Sequence, residues 1–123
     1  MTEMLSSDAP TFDRELSQLD RAVVLFRATW CGYCATFLPN FQDEEVDASV
    51  PFYETIIDED EDPRWDTYGI EVVPTVVYFE KGEALERVEA RAVLGLAPEQ
   101  FKRFLERVDA INEDDLHPKL RRR

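Results

Sequence analysis

Apolar and polar positions along this chain follow two periods, one helical and one extended. Phe12, Leu16 and Leu19 recur at i, i+4 and i+7 and predict an amphipathic helix. Pro10 can open it, because a first turn does not need the N–H that proline lacks. Ala22 to Phe26 is an unbroken apolar run of β-prone residues, the pattern of a central strand covered on both faces. Phe37, Leu38 and Phe41 predict a helix that starts near Cys34, kinks at Pro39 and ends about Glu45. Phe52 to Ile57 reads as a second strand and Asp58 to Asp62 as an acidic turn. Pro63 to Tyr68 reads as a short helix stopped by Gly69. Thr75 to Glu80 is a third strand, Lys81-Gly82-Glu83 a hairpin turn, and Leu85 to Ala90 a fourth strand antiparallel to the third. From Pro98, the positions of Phe101, Phe104, Leu105 and Val108 predict a final helix. The order α-β-α-β-α-β-β-α implies an α/β fold, with a central mixed sheet of about four strands flanked by helices. Its first βαβ unit makes a right-handed parallel crossover, and the closing hairpin adds an antiparallel edge. The expected organisation is a flexible N-terminus over 1–9, one domain over 10–109, and a charged flexible tail over 110–123.

Composition narrows the function classes. The chain has 123 residues, ample for one core without staples. Its longest strongly apolar run is far too short to span a bilayer. The first ten residues show neither a basic patch nor an apolar stretch of the secretory type, so a cytoplasmic location is expected. Acids outnumber bases 27 to 14, the net charge is −13, and lysine occurs only at Lys81, Lys102 and Lys119. Such a surface repels nucleic acid and anionic lipid, so neither is an expected partner. The acids run in blocks (Asp43-Glu44-Glu45, Asp58 to Asp62, Glu113-Asp114-Asp115), and the plain reading is a solvated face. The composition is also similar to that of halophilic archaeal proteins, in which molar salt screens the self-repulsion. The basic end, His117 to Arg123, reads either as a solvated tail or as a hook for an acidic surface. No glycine-rich phosphate loop or dinucleotide motif is present, and no cofactor is expected.

The chemistry-bearing pattern is Trp30-Cys31-Gly32-Tyr33-Cys34, set between the buried strand and the helix that follows it. A helix N-terminus presents unpaired N–H groups and partial positive charge, which favour a thiolate, the nucleophilic form of cysteine. Cys31 is then the exposed attacker. Cys34, one turn on, resolves the mixed disulfide. Gly32 leaves the attack path open, and Trp30 offers a flat apolar surface for a substrate chain. Three other readings stay open. A zinc site needs about four ligands and has only His117 to add, so no metal is expected. A structural disulfide would close too small a loop to constrain the unfolded chain much. The last alternative is a pair of unrelated buried thiols.

Beyond the cysteines, several spaced segments carry a family resemblance. The run Val24 to Cys34, Pro39 five residues after the second cysteine, Tyr68-Gly69-Ile70 with Val73-Pro74-Thr75, and the turn Lys81-Gly82-Glu83 occur in the order seen in thioredoxins. From about Phe12 to Val108 the chain resembles the thioredoxin family. The resemblance implies a thioredoxin fold and a protein-disulfide reductase. It further implies that Pro74 is cis, packs against the cysteines and leaves the Val73 backbone free to pair with a substrate strand. The implied partners are protein disulfide substrates and a thioredoxin-reductase-type recycling enzyme, with the chain acting as a monomer. A glutaredoxin-like enzyme using a small thiol and a non-catalytic thioredoxin-fold adaptor are the alternatives.

Three positions depart from the family pattern. Gly32-Tyr33 replaces the usual Gly-Pro and looks more like some disulfide isomerases; it predicts a less reducing couple than a typical thioredoxin. Leu25 stands where thioredoxins carry a buried aspartate, and Glu54 where they carry its lysine partner. The carboxylate thus moves from one strand to the next, and Glu54 becomes the candidate proton acceptor for Cys34, against the plain reading of a solvent-facing strand glutamate. Arg27 replaces a common tryptophan. It is expected to point outward and pair with an acid, with stabilisation of the thiolate as the alternative.

Overall fold

A computed structural model describes residues 2–91 and 94–116. Its elements are β1 (Glu3–Met4), α1 (Ala9–Ser17), β2 (Arg21–Arg27), α2 (Gly32–Glu45), β3 (Phe52–Ile56), α3 (Arg64–Thr67), β4 (Thr75–Glu80), β5 (Glu83–Glu89) and α4 (Pro98–Leu116). They build one mixed sheet in the order β1-β3-β2-β4-β5. β2 is its centre, parallel to β3 on one side and antiparallel to β4 on the other. This is the expected α/β thioredoxin fold, with one strand more than the sequence suggested.

The extra strand corrects the reading of 1–9 as loose. Glu3 and Met4 pair in parallel with Tyr53 and Glu54, the Leu5 N–H donates to the Glu54 carbonyl at 2.8 Å, and the Leu5 side chain is buried. Two residues are too few to show an alternating pattern, so the strand has no local signature. The segment just after it, Ser6 and Ser7, is anchored by Arg64, a fully buried arginine in α3. The guanidinium of Arg64 donates to the carbonyls of Ser6, Ser7 and Ile56, to the Thr55 hydroxyl at 2.6 Å, and to both oxygens of Asp62. It also lies over the Phe12 ring. At the other end, α4 continues through 110–116, which the sequence reading had assigned to a flexible tail. His117 and the basic end to Arg123 lie outside the described residues.

The unbroken apolar run in β2 is explained by its position, since both faces of the strand are covered. Val23 and Leu25 face Phe37 and Phe41 of α2 and Phe101, Phe104 and Val108 of α4. Ala22, Val24 and Phe26 face Phe12 and Leu16 of α1 and Ile70. Strand alternation sends successive side chains to opposite layers. The C-terminal ends of β2 and β3 and the start of β4 meet at one edge of the sheet, and that is where the cysteines lie.

Candidate active site

β2 ends at Arg27, and 28–30 turn the chain into α2. Cys31 is the N-cap of that helix, with extended backbone, and its Sγ accepts the Cys34 N–H at 3.1 Å. The cap satisfies one of the free donors at the helix mouth and places the sulfur in the positive end of the helix dipole. The Cys31 N–H is held by the Ala28 carbonyl at 3.3 Å. On the opposite side the Cys31 thiol donates to the Val73 carbonyl at 3.5 Å, and the Val73–Pro74 peptide is cis. Ala28, Cys31 and Cys34 form a small apolar cluster with Val73 packed on it. Both cysteines are free thiols here. Their exposures differ: 9 % for Cys31 and 1 % for Cys34. Both are buried, so Cys31 is less exposed than the sequence suggested, and Cys34 is the more deeply enclosed of the two.

Burial is the main cause that pushes the Cys34 thiol up to about 12, with its hydrogen bond to Cys31 adding to the effect. The Ala28 N–H and the positive charge of Arg27 work the other way. Cys34 therefore rests as a thiol and needs help to ionise.

The surroundings of the pair are fixed by contacts distant in sequence. Asp58 accepts the Thr29 N–H and hydroxyl, both at 2.7 Å, and these bonds hold its carboxyl below the usual range. The Trp30 indole N–H donates to the Asp58 carbonyl at 2.9 Å, so the exposed ring lies tethered beside Cys31. Tyr33, Val72 and Leu94 are the other large apolar side chains exposed at this edge. Gly95 has φ +72°, and a Cβ there would stand 2.7 Å from Cδ1 of the Tyr33 ring, so that ring lies flush on the backbone of the loop.

Glu54 lies in β3, opposite Leu25 of β2. It is not solvent-facing: it is buried on the α2 side of the sheet, the side of Leu25 and Phe52. Its Oε1 accepts from Arg27 Nε at 2.8 Å and from Nη2 at 2.7 Å. Arg27 does pair with an acid, but it is largely covered and does not point outward. The structure thus gathers Trp30, Cys31, Gly32, Tyr33, Cys34, Val73 and Pro74 around one sulfur and sets the Arg27–Glu54 pair on the sheet beneath. Sequence reasoning missed Asp58 and Gly95. Asp58 is one acid in a block of acids, and its partners lie on another loop. The glycine at 95 was a visible signal, but Tyr33 comes to it only through tertiary packing.

A reactive dithiol at a helix mouth, facing a cis-proline on this fold, defines a thiol–disulfide oxidoreductase. The chain belongs to the thioredoxin family: the sequence model of that family, described as Thioredoxin, matches residues 3–107. Thioredoxin from Malassezia sympodialis is 36% identical over 73 residues, covering 56% of this chain and 69% of its own. Chloroplastic thioredoxin M4 from Arabidopsis thaliana is 32% identical over 108 residues, 86% of this chain and 48% of its own. Protein disulfide isomerase-like 2-1 from Oryza sativa subsp. japonica is 32% identical over 85 residues, and this chain spans 23% of its length. Among solved structures, oxidised thioredoxin from Plasmodium falciparum superposes with a TM-score of 0.69 at 19% identity, covering 88% of this chain and 98% of the other.

Proposed function

We propose that this chain reduces protein disulfides by dithiol exchange. The Cys31 thiolate attacks one sulfur of the substrate disulfide, and the first substrate thiolate leaves. Cys34, deprotonated, attacks Cys31 Sγ of the mixed disulfide, and the second substrate thiolate leaves. The chain ends as a Cys31–Cys34 disulfide, two electrons poorer, and the substrate two electrons richer. The observation that carries this reading is the placing of Cys31 Sγ between the Cys34 N–H of the helix mouth and the Val73 carbonyl. Trp30 and Tyr33 support the substrate chain, the backbone at Val73 and Pro74 aligns it, and Gly32 keeps the approach to the sulfur open. Glu54 takes the proton from Cys34. A thioredoxin-reductase-type enzyme returns the dithiol. We further infer a monomer of the cytoplasm, with a surface suited to high salt. Among the described residues no helix is long and apolar enough to cross a membrane.

An insulin-reduction assay tests the activity. The chain should precipitate insulin and Cys31→Ser should not; equal behaviour of the two would leave an adaptor. Recycling by a thioredoxin reductase, and not by small thiols alone, separates this reading from a glutaredoxin-like one. A Cys34→Ser chain should retain its substrates as mixed disulfides, which identifies them.

A further inference from the structure

The end of the molecule away from the cysteines carries a groove that the exchange chemistry does not use. It runs between the end of α2 and the 46–51 connection on one side and α4 on the other, over the first residues of β2 and β3, and encloses ≈ 310 Å³. Its floor is apolar: Phe52 and Val108 are buried beneath it, and Ala48 and Leu105 are only partly covered. Its rim is acidic. Glu44 and Asp47 stand on one bank and Glu106 and Asp109 on the other, with Lys102 the one base among the lining residues. None of these four acids forms a salt bridge with another described residue, and Asp109 accepts the Ser49 hydroxyl at 3.3 Å. Facing carboxylates over a half-open apolar floor fit an occupant that is cationic and carries an aliphatic side chain.

The chain holds one such segment. His117-Pro118-Lys119-Leu120-Arg121-Arg122-Arg123 sets a single large aliphatic residue among four permanent cations, and it follows α4 directly. Pro118 disfavours helical backbone at the residue before it, which accounts for the stop of α4 at Leu116 and requires the chain to leave the helix axis there. Asp109 lies seven residues before Leu116, about 10 Å back along a helix that rises about 1.5 Å per residue. Leu120 lies four residues after Leu116 and at about 3.3 Å per residue reaches about 13 Å, enough to return to the level of Asp109 and Val108. Arg121 to Arg123 then come within reach of Glu106 and of Glu44 and Asp47 on the other bank. We propose that residues 117–123 fold back along α4 and occupy this groove, with Leu120 on its floor and the basic side chains between its acidic banks. A second hollow at the same end of the sheet, of ≈ 1000 Å³, fits the segment less well. It sets Asp20, Glu80 and Glu83 against Arg21 and Lys81, so its charge is nearly balanced, and Glu80 already accepts the Tyr78 hydroxyl at 2.6 Å. Each surface ion pair is weak on its own. Tethering supplies the rest, because an attached segment meets its site at an effective concentration of the order of millimolar.

A nitroxide on the tail tests this in the full chain. The label is carried by Arg122→Cys in a Cys31→Ser/Cys34→Ser background, which leaves no other thiol, and it is read by the paramagnetic loss of amide signals. At low salt the signals of Asp47, Ala48 and Lys102 should be lost, while those of Lys81 and Glu83 in the second hollow are kept. Molar sodium chloride should restore part of each lost signal, because screening removes the ionic share and leaves the contact of Leu120. Asp47→Lys/Glu106→Lys, at two exposed positions, should restore the same signals at low salt. Leu120→Ser should restore them fully in molar salt. Undiminished signals at Asp47 and Ala48, or losses at Lys81 and Glu83 as large as theirs, overturn the proposal, and so does a pattern that the double charge reversal leaves unchanged. A mixture identifies whose tail is bound. Isotope-labelled chain without the nitroxide, mixed with nitroxide-bearing chain that is not isotope-labelled, should lose none of these signals. Losses in the mixture would seat the tail of a second copy in the groove and overturn the fold-back. Losses in neither arrangement would leave the groove to a separate partner and overturn it equally.

Discussion

Cys31 and Cys34 carry the same side chain three residues apart, and their surroundings assign them different tasks. One caps a helix close to the surface; the other is more deeply enclosed and held in its neutral form, first by burial. The raised value has a consequence for stability. A thiol that ordinarily ionises near 9.0 and is pushed to about 12 in the fold keeps its proton after the unfolded chain has lost it. In that window the native state binds more protons, so stability falls as pH rises from about 9 to about 12. The melting temperature of the reduced chain should therefore fall relative to the oxidised chain over this range, a difference that thermal melts of both forms will show. Tyr33 makes a second prediction. Its backbone N–H, absent in proteins with Gly-Pro at this site, adds a free donor to the mouth of α2. The couple is then expected between about −270 and −180 mV, measurable by equilibration with glutathione buffers, and more negative in Tyr33→Pro. Gly95 makes a third. Alanine there would meet both a left-handed backbone and the Tyr33 ring at 2.7 Å. Gly95→Ala should cost about 1–3 kcal/mol in urea unfolding. Adding Tyr33→Ala should recover the part due to the ring and leave the part due to φ.

At the scale of elements, legibility followed period. The five-residue apolar run of β2, the β4–β5 hairpin and the stripe of Phe101, Phe104, Leu105 and Val108 were plain in the sequence, because each repeats a local rule over a whole element. β1 was not, because its two residues take their structure from β3, and the segment behind them from Arg64. Arg64 binds three chain segments at once, 6–7, 55–56 and its own loop at Asp62. Replacing it with methionine keeps most of the volume but leaves those acceptors buried without a donor. Arg64→Met should cost about 3 kcal/mol or more and free the N-terminal segment to exchange its amide hydrogens early. An amide-exchange map equal to that of the parent would show that β1 holds without the arginine.

For the molecule as a whole, the net charge of −13 sets behaviour that no single contact does. Self-repulsion among exposed acids weakens the compact state and is screened by salt, so thermal stability should rise from low to molar sodium chloride. A fall over that range would count against a high-salt surface. The chain's own sequence determined the architecture and the reactive pair. Hydrophobic period dictates which faces must be buried, and the place of the two cysteines between a buried strand and a helix follows from that. Tertiary structure alone decided how the pair is served. The turn of Val73 toward Cys31, the tether of Trp30 to Asp58, the seat of Tyr33 on Gly95 and the meeting of Arg27 with Glu54 each join positions at least 27 residues apart. Such contacts arise from strand register and loop packing, and local periodicity carries no record of either.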